Sequence, residues 1–323
     1  MNSYSWLQKK LHQIALSSKF IREATFDIEN LIVPYNKNID DKHVFVAGLA
    51  RSGSTILLNA IYDSNLFASS SYLDMPFILA PNLWKKLPKK NIDYNKFIER
   101  SHKDGVKISI KSPEAFEEVF WKTFEHAEDS KIKFERFVNL VTYKYKRKRY
   151  LSKNNQNIRR VNYLSSIFPN SKILIPFRDP IQQATSLLLQ HNRFNEYSKN
   201  DNFISDYMKW IGHTEFGPNY KPIKKEITYN NYNELNHWIE QWILSYEDQL
   251  DIINNNKNIL PICHEMLIGS HKYWLKILNF LEINSSYYYD FRKSKKNSIL
   301  NVDKNLSKKC YQIYDQLRGI ASE

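Results

Sequence analysis

Lys42–Ala60 reads KHVFVAGLARSGSTILLNA. A short β-branched apolar run ends in GLARSGST, and a helix-like apolar run follows. Strand, tight loop and helix in that order form the arrangement that holds a phosphate on backbone N–H groups at a helix N-terminus. The spacing is that of the phosphate-cradling pattern G-x-x-x-x-G-K-[ST], with Gly48, Gly53 and the Thr55 hydroxyl in place. Ser54 stands where the pattern has lysine, which removes the main contact to a β/γ-phosphate. The cation lies inside the loop instead, at Arg51. The loop therefore reads as a cradle for a nucleotide-like anion other than ATP.

Working outward, Lys42–Gly48 reads as a first strand buried on both faces, because its apolar run does not alternate. Ser54–Tyr62 is the helix leaving the loop. Ser171–Phe177 (SKILIPF) is a second β-like run, followed by Arg178-Asp179-Pro180 and a helix over Ile181–His191. Asn258–Cys263 is a third, with a helix after Glu265. Alternating strands and helices predict an α/β fold, three-layer, with a central parallel sheet. In such sheets ligands bind off the carboxyl ends of the strands. Residues 5–30 read as one amphipathic helix, with Trp6, Leu7, Leu11, Ile14 and Leu16 near helical spacing, packed on the main domain. Ser69–Leu87, with Pro76 and Pro81, reads as loop plus short helix. Ser112-Pro113-Glu114 reads as a helix start: cap, proline, acidic first turn. Trp238, Trp242 and Tyr246 at i, i+4 and i+8 read as a core stripe. No repeat or linker divides the chain, so residues 1–323 are expected to form one domain, with 1–40 a helical extension packed on it.

Composition sets limits. Hydrophobic residues at 42% and aromatics at 14% argue against disorder. No apolar run reaches the ~18–20 residues of a membrane span, and no signal-peptide core is visible at the N-terminus. Two cysteines, Cys263 and Cys310, are too few for a disulfide scaffold, so a cytoplasmic location is expected. The net charge of +13, from 47 basic and 34 acidic residues, favours anionic partners. The densest basic stretch is Tyr143–Arg160, YKYKRKRYLSKNNQNIRR, which reads as a helix face plus a loop near an anion site. No HxH, CxxC or HExxH spacing offers a metal site.

Three segments in order resemble the sulfotransferases that use 3′-phosphoadenosine 5′-phosphosulfate (PAPS), in a bacterial branch of that family. GLARSGST is similar to the loop that holds the 5′-phosphosulfate, where a Lys or Arg precedes Ser-Gly-[ST]-[ST]. FRDPIQQATS is similar to the 3′-phosphate motif, with Arg178 at a strand end and Ser186 in the following helix. Lys153, a helix and the turn Phe168-Pro169-Asn170-Ser171-Lys172 fit the segment between them. A weaker echo at His264-Glu265-Met266-Leu267 stands where the family has Tyr-Glu-x-Leu. The departures are Ile56 in place of an adenine-stacking tryptophan, and no histidine base in a Thr-His context.

The resemblance implies a P-loop NTPase-like sulfotransferase fold and transfer of a sulfuryl group from PAPS to a hydroxyl or amine. It implies no metal and no specific nucleic acid partner. Arg51, Ser52, Gly53, Ser54, Thr55, Arg178 and Ser186 are the implied PAPS ligands. Arg51 and Lys153 are the implied catalytic cations, Arg51 because its fork spans sulfate and bridging oxygens. Asp74 is the expected general base, a carboxylate among Met75, Pro76 and Phe77; His191 and His213 are the rivals. Two alternatives stay open: a nucleotide kinase or NTPase with a degenerate loop, and a non-catalytic polyanion-binding protein. The acceptor and the oligomeric state are not legible.

Overall fold

The computed structural model describes residues 5–36, 41–87, 97–99, 107–200, 202–284, 287–291 and 302–323. The strands are β1 (Val44–Val46), β2 (Phe67–Ala68), β3 (Ile98–Glu99), β4 (Lys107–Ile108), β5 (Arg149–Lys153), β6 (Lys172–Phe177) and β7 (Ile259–Cys263). Five of them form a parallel sheet in the order β2-β5-β1-β6-β7, and β3 and β4 pair antiparallel apart from it. β1 lies between β5 and β6, with Val46 opposite Lys153 on one side and Leu174 on the other.

From β1 the chain turns to the β2 edge, and from β6 it moves to the β7 edge. Right-handed crossovers running in opposite directions place their helices on opposite faces. The expected three-layer α/β arrangement follows, and the order in which the chain adds strands reverses at the β1/β6 boundary, where such folds open a crevice.

β1, β5 and most of β6 are buried. The helix Leu235–Asn254 covers the sheet with Trp238, Trp242 and Tyr246, all 2% exposed or less, as the stripe predicts. Burying each such side chain contributes roughly 1.5–3 kcal/mol. One buried apolar cluster runs from Ala15, Leu16 and Phe26 through the sheet to Leu317 and Ala321.

Three local expectations fail for identifiable reasons. The N-terminal helix is two helices, Trp6–Ser17 and Lys19–Ile32, because the Ser18 hydroxyl takes the Ile21 N–H and starts the second. Ala15 and Leu16 pack inward, whereas Trp6, Leu7 and Ile14 are exposed. The helix expected at Ser112 begins at Glu118. The Ser112 hydroxyl instead accepts the Ser109 N–H, and Pro113 bridges to Ser71.

Tyr143–Arg160 contains a whole strand, β5, next to β1. Its charges hid it. Arg149 is 8% exposed, with its guanidinium on the Lys42 and Leu281 carbonyls. Arg160 is paired with Glu118 and Glu125.

Candidate functional site

Because the sheet is parallel, the carboxyl ends of its strands share one edge. Along it lie Lys153 at the end of β5, the loop after β1, Arg178 after β6 and His264 after β7. The loop fits only with glycine at two places. A Cβ on Gly48 would lie 2.5 Å from the Pro176 carbonyl oxygen on β6. Gly53 has φ +91°, and a Cβ there would lie 2.5 Å from His264 Nδ1. Gly53 is also the N-cap of the helix Ser54–Tyr62, and no side chain caps that helix. Its positive end therefore faces the loop.

Gly53→Ala is expected to lower stability by about 1–2 kcal/mol from the left-handed backbone alone. The collision with His264 adds to this, and thermal unfolding measures the sum.

Arg51 holds φ 69°, a left-handed conformation a non-glycine residue adopts at a cost. It brings Nε within 3.0 Å of Ser186 Oγ, joining the loop to the helix Pro180–Asn200. Arg178 is 8% exposed and forms no hydrogen bond among the described residues. Burial pulls its pKa below the ordinary arginine value; Arg51 pulls the same way, and Glu265 and Asp179 oppose it. Two guanidinium groups thus press on each other, a strain that a bound anion relieves. Asp179 supports this turn: it caps the helix through Gln182 N at 2.9 Å, accepts the Tyr311 hydroxyl at 3.2 Å and donates its N–H to Glu265.

His264 is 5% exposed, and its Nε2 has no hydrogen-bond partner. Burial first, then Arg178, pushes its pKa down to about 4, with Glu265 opposing. A buried polar atom without a partner, a glycine cradle and two cations on one edge fit a phosphate-bearing ligand. Phosphate arriving beside His264 raises that pKa. Binding then takes up a proton, so affinity strengthens as pH falls through the bound-state pKa and levels off above it. Calorimetry with adenosine 3′,5′-bisphosphate in buffers of different ionisation enthalpy is expected to show the uptake, and His264→Gln to remove it.

The remaining residues divide. Ser52 is buried and its hydroxyl neighbours Tyr246. Ser54 and Thr55 are buried at the helix start, with Ser54 Oγ 3.4 Å from Asn155 Oδ1. Lys153 pairs with Glu114 at 3.8 Å, and Glu114 Oε2 accepts the Tyr72 hydroxyl at 3.3 Å. His213 is near both, and its pKa is lowered by burial, with Lys153 lowering it further and Glu215 and Glu114 raising it.

Asp74 is enclosed within the fold. It is 1% exposed; Oδ1 is paired with Lys144, and Oδ2 takes the Tyr145 hydroxyl at 2.8 Å and the Ser71 N–H at 2.6 Å. A base needs a lone pair facing its substrate, and here the carboxylate is spent inside the fold. His191 is likewise taken up by the fold: its Nδ1 accepts the Gly217 N–H, and its ring packs on Tyr220 and Trp238.

Sequence reasoning assigned no site role to Glu114 or His264. The run Lys111-Ser112-Pro113-Glu114 and the departure at His264 within the Tyr-Glu-x-Leu echo were the available signals. Among the described residues no His/Cys/Asp/Glu group is placed to hold a metal, and no helix is long and apolar enough to cross a membrane.

Solved structures similar to this chain include sulfotransferase STF1 from Mycobacterium tuberculosis H37Rv, at 10% identity and TM-score 0.49, covering 98% of this chain and 87% of that one. A sulfotransferase from Alicyclobacillus acidocaldarius is 12% identical at TM-score 0.41, covering 87% and 96%. STF9 from Mycobacterium avium is 11% identical at TM-score 0.40, covering 96% and 78%. No curated protein matches. Residues 43–284, the span from β1 past β7, match the sulfotransferase family, and the chain belongs to that family.

Proposed function

We propose that this protein is a PAPS-dependent sulfotransferase acting on a hydroxyl or amine. The observation that carries the reading is the hydrogen bond of 3.0 Å between Arg51 and Ser186. It joins the two motifs that would hold opposite ends of one nucleotide, with Arg178 beside them.

When bound, PAPS supplies an activated sulfuryl group on its 5′-phosphate. Gly53, Ser54 and Thr55 would cradle that phosphate with backbone N–H groups and hydroxyls, on the turn that buried Ser52 supports. Arg51 would set positive charge beside it, where preorganised cations contribute most to group transfer. Arg178 and Ser186 would hold the 3′-phosphate, with His264 donating from below.

Glu114, in place of Asp74, would take the proton of the acceptor group. Lys153 would fix its orientation and hold positive charge on the same side. Both cysteines, Cys263 and Cys310, are free and buried, which fits work in a reducing cytoplasm.

The test is calorimetric titration with adenosine 3′,5′-bisphosphate. Sub-millimolar binding is expected. Its absence, or turnover of ATP with magnesium, overturns the reading.

A further inference from the structure

The helix Lys304–Ser322 packs on the helix Leu235–Asn254 and on β7. Its buried side carries Cys310, Ile313, Tyr314, Leu317 and Ala321. Tyr314 sets its ring edge-on to Phe177, the last residue of β6, with ring centres 5.7 Å apart. Tyr311 stands at i−3 from Tyr314, on the same side of the helix. Both phenols therefore meet the turn that begins at Arg178.

Both hydroxyls end on carboxylates there. Tyr311 donates to Asp179 Oδ2 at 3.2 Å, and Tyr314 donates to Glu265 Oε2 at 3.2 Å. The other two oxygens accept backbone N–H groups: Asp179 Oδ1 that of Gln182 at 2.9 Å, and Glu265 Oε1 that of Asp179 at 3.1 Å. All four oxygens hold a donor, and among the described residues none of those donors is Arg178. Yet Glu265 and Asp179 are the acids whose charge reaches that guanidinium. An arginine beside ionised carboxylates ordinarily forms a two-pronged pair with one of them. Burial first, then Asp179 for Tyr311 and Glu265 for Tyr314, raises both hydroxyls above the ordinary tyrosine pKa. Both therefore stay protonated, and donate, at working pH.

We infer, resting on the reading that Arg178 takes a 3′-phosphate, that Tyr311 and Tyr314 are positioning residues that turn Asp179 and Glu265 off the guanidinium and keep it open to that phosphate. Their contribution is selectivity for nucleotides that carry the group. Without either hydroxyl a carboxylate oxygen lacks its donor, and Arg178 is the charged donor at hand. The phosphate must then displace an internal ion pair, and affinity falls. A ligand without the 3′-phosphate loses nothing. Packing alone would be served by phenylalanine at both positions, since the rings remain.

The experiment is calorimetric titration of the full chain with adenosine 3′,5′-bisphosphate and with adenosine 5′-monophosphate. Tyr311→Phe and Tyr314→Phe, measured singly, are each expected to weaken bisphosphate binding by about tenfold, the loss of one hydrogen bond to a charged group. Monophosphate binding is expected to stay within about twofold. In Glu265→Gln, whose neutral amide does not compete for the guanidinium, Tyr314→Phe is expected to change bisphosphate affinity by about twofold or less. Tyr273→Phe is the control: its hydroxyl donates to the Pro261 carbonyl at 3.4 Å and accepts the Cys263 N–H at 3.2 Å. It is expected to shift thermal unfolding and leave the ratio of the two affinities unchanged. Equal weakening of both nucleotides, unchanged bisphosphate binding in either tyrosine variant, or the full Tyr314→Phe effect in Glu265→Gln overturns the inference alone. Failure of the unaltered protein to bind the bisphosphate overturns the PAPS reading, and the inference with it.

Discussion

Replacing Arg178 by alanine is expected to weaken binding of adenosine 3′,5′-bisphosphate by about 100-fold or more, while leaving the free protein no less stable. The first effect follows from charge-assisted bonding: two parallel hydrogen bonds to phosphate together contribute roughly 3 kcal/mol. The second follows from the surroundings. Arg178 is buried, forms no hydrogen bond among the described residues, and is held below the usual arginine range by burial and by Arg51. Removing it relieves the free protein and deprives the complex. A structural arginine would show the reverse, with stability falling and affinity nearly constant. Thermal unfolding in the absence of ligand, set beside the titration, separates the two. The same pair of measurements on Arg51→Ala is expected to show a similar loss of affinity. It also releases the Ser186 hydroxyl, so the cost of the double variant falls short of the sum.

Asp74→Asn is expected to destabilise the protein by about 3–5 kcal/mol, the cost of breaking a buried ion pair from one side. Lys144 is 7% exposed and would be left buried with its charge uncompensated, while Tyr145 and the Ser71 N–H would lose an ionised acceptor. Asp74→Asn with Lys144→Met is expected to recover part of the loss, because it removes the orphaned charge. Glu114→Gln should behave in the opposite way. It is expected to lower the rate of adenosine 3′,5′-bisphosphate release from PAPS by about 10²–10⁴-fold, the usual contribution of a positioned base. Urea denaturation should show a smaller loss than for Asp74→Asn, because the Glu114–Lys153 pair is looser, at 3.8 Å. The two substitutions, measured by denaturation and by initial rates, distinguish a carboxylate that holds the fold from one that handles a proton. Loss of rate without loss of stability in Asp74→Asn would return the role to Asp74.

The glycine loop after β1, the Arg-Asp-Pro turn and the aromatic stripe of Leu235–Asn254 were readable because local pattern and tertiary packing agree there. Gly48 and Gly53 are required by close approach of β6 and of His264, and a spacing motif records that requirement. β5 was not readable. Its five residues, Arg-Tyr-Leu-Ser-Lys, are all buried, yet two of them carry charge. What permits the burial of Arg149 is a pair of carbonyls at Lys42 and Leu281, far away in sequence. The partners of Asp74 were hidden for a related reason. A loop carboxylate looks available until Lys144, seventy residues on, is folded against it. Glu114 was passed over because it read as a first-turn acid, and its ion pair with Lys153 exists only after β5 reaches the sheet edge. In each case a long-range polar partner decides the outcome, and hydrophobic periodicity carries no record of it.

The short bridge from guanidinium 51 to the hydroxyl of residue 186 is made by the chain's own groups. On the proposed reading, the two jaws of the receptor are tied to each other by the chain itself. A visitor that spans them need not recruit loops from solution, and the chain gives up little freedom on capture. Association should then resemble the meeting of two rigid bodies, with selectivity resting on the length of the guest.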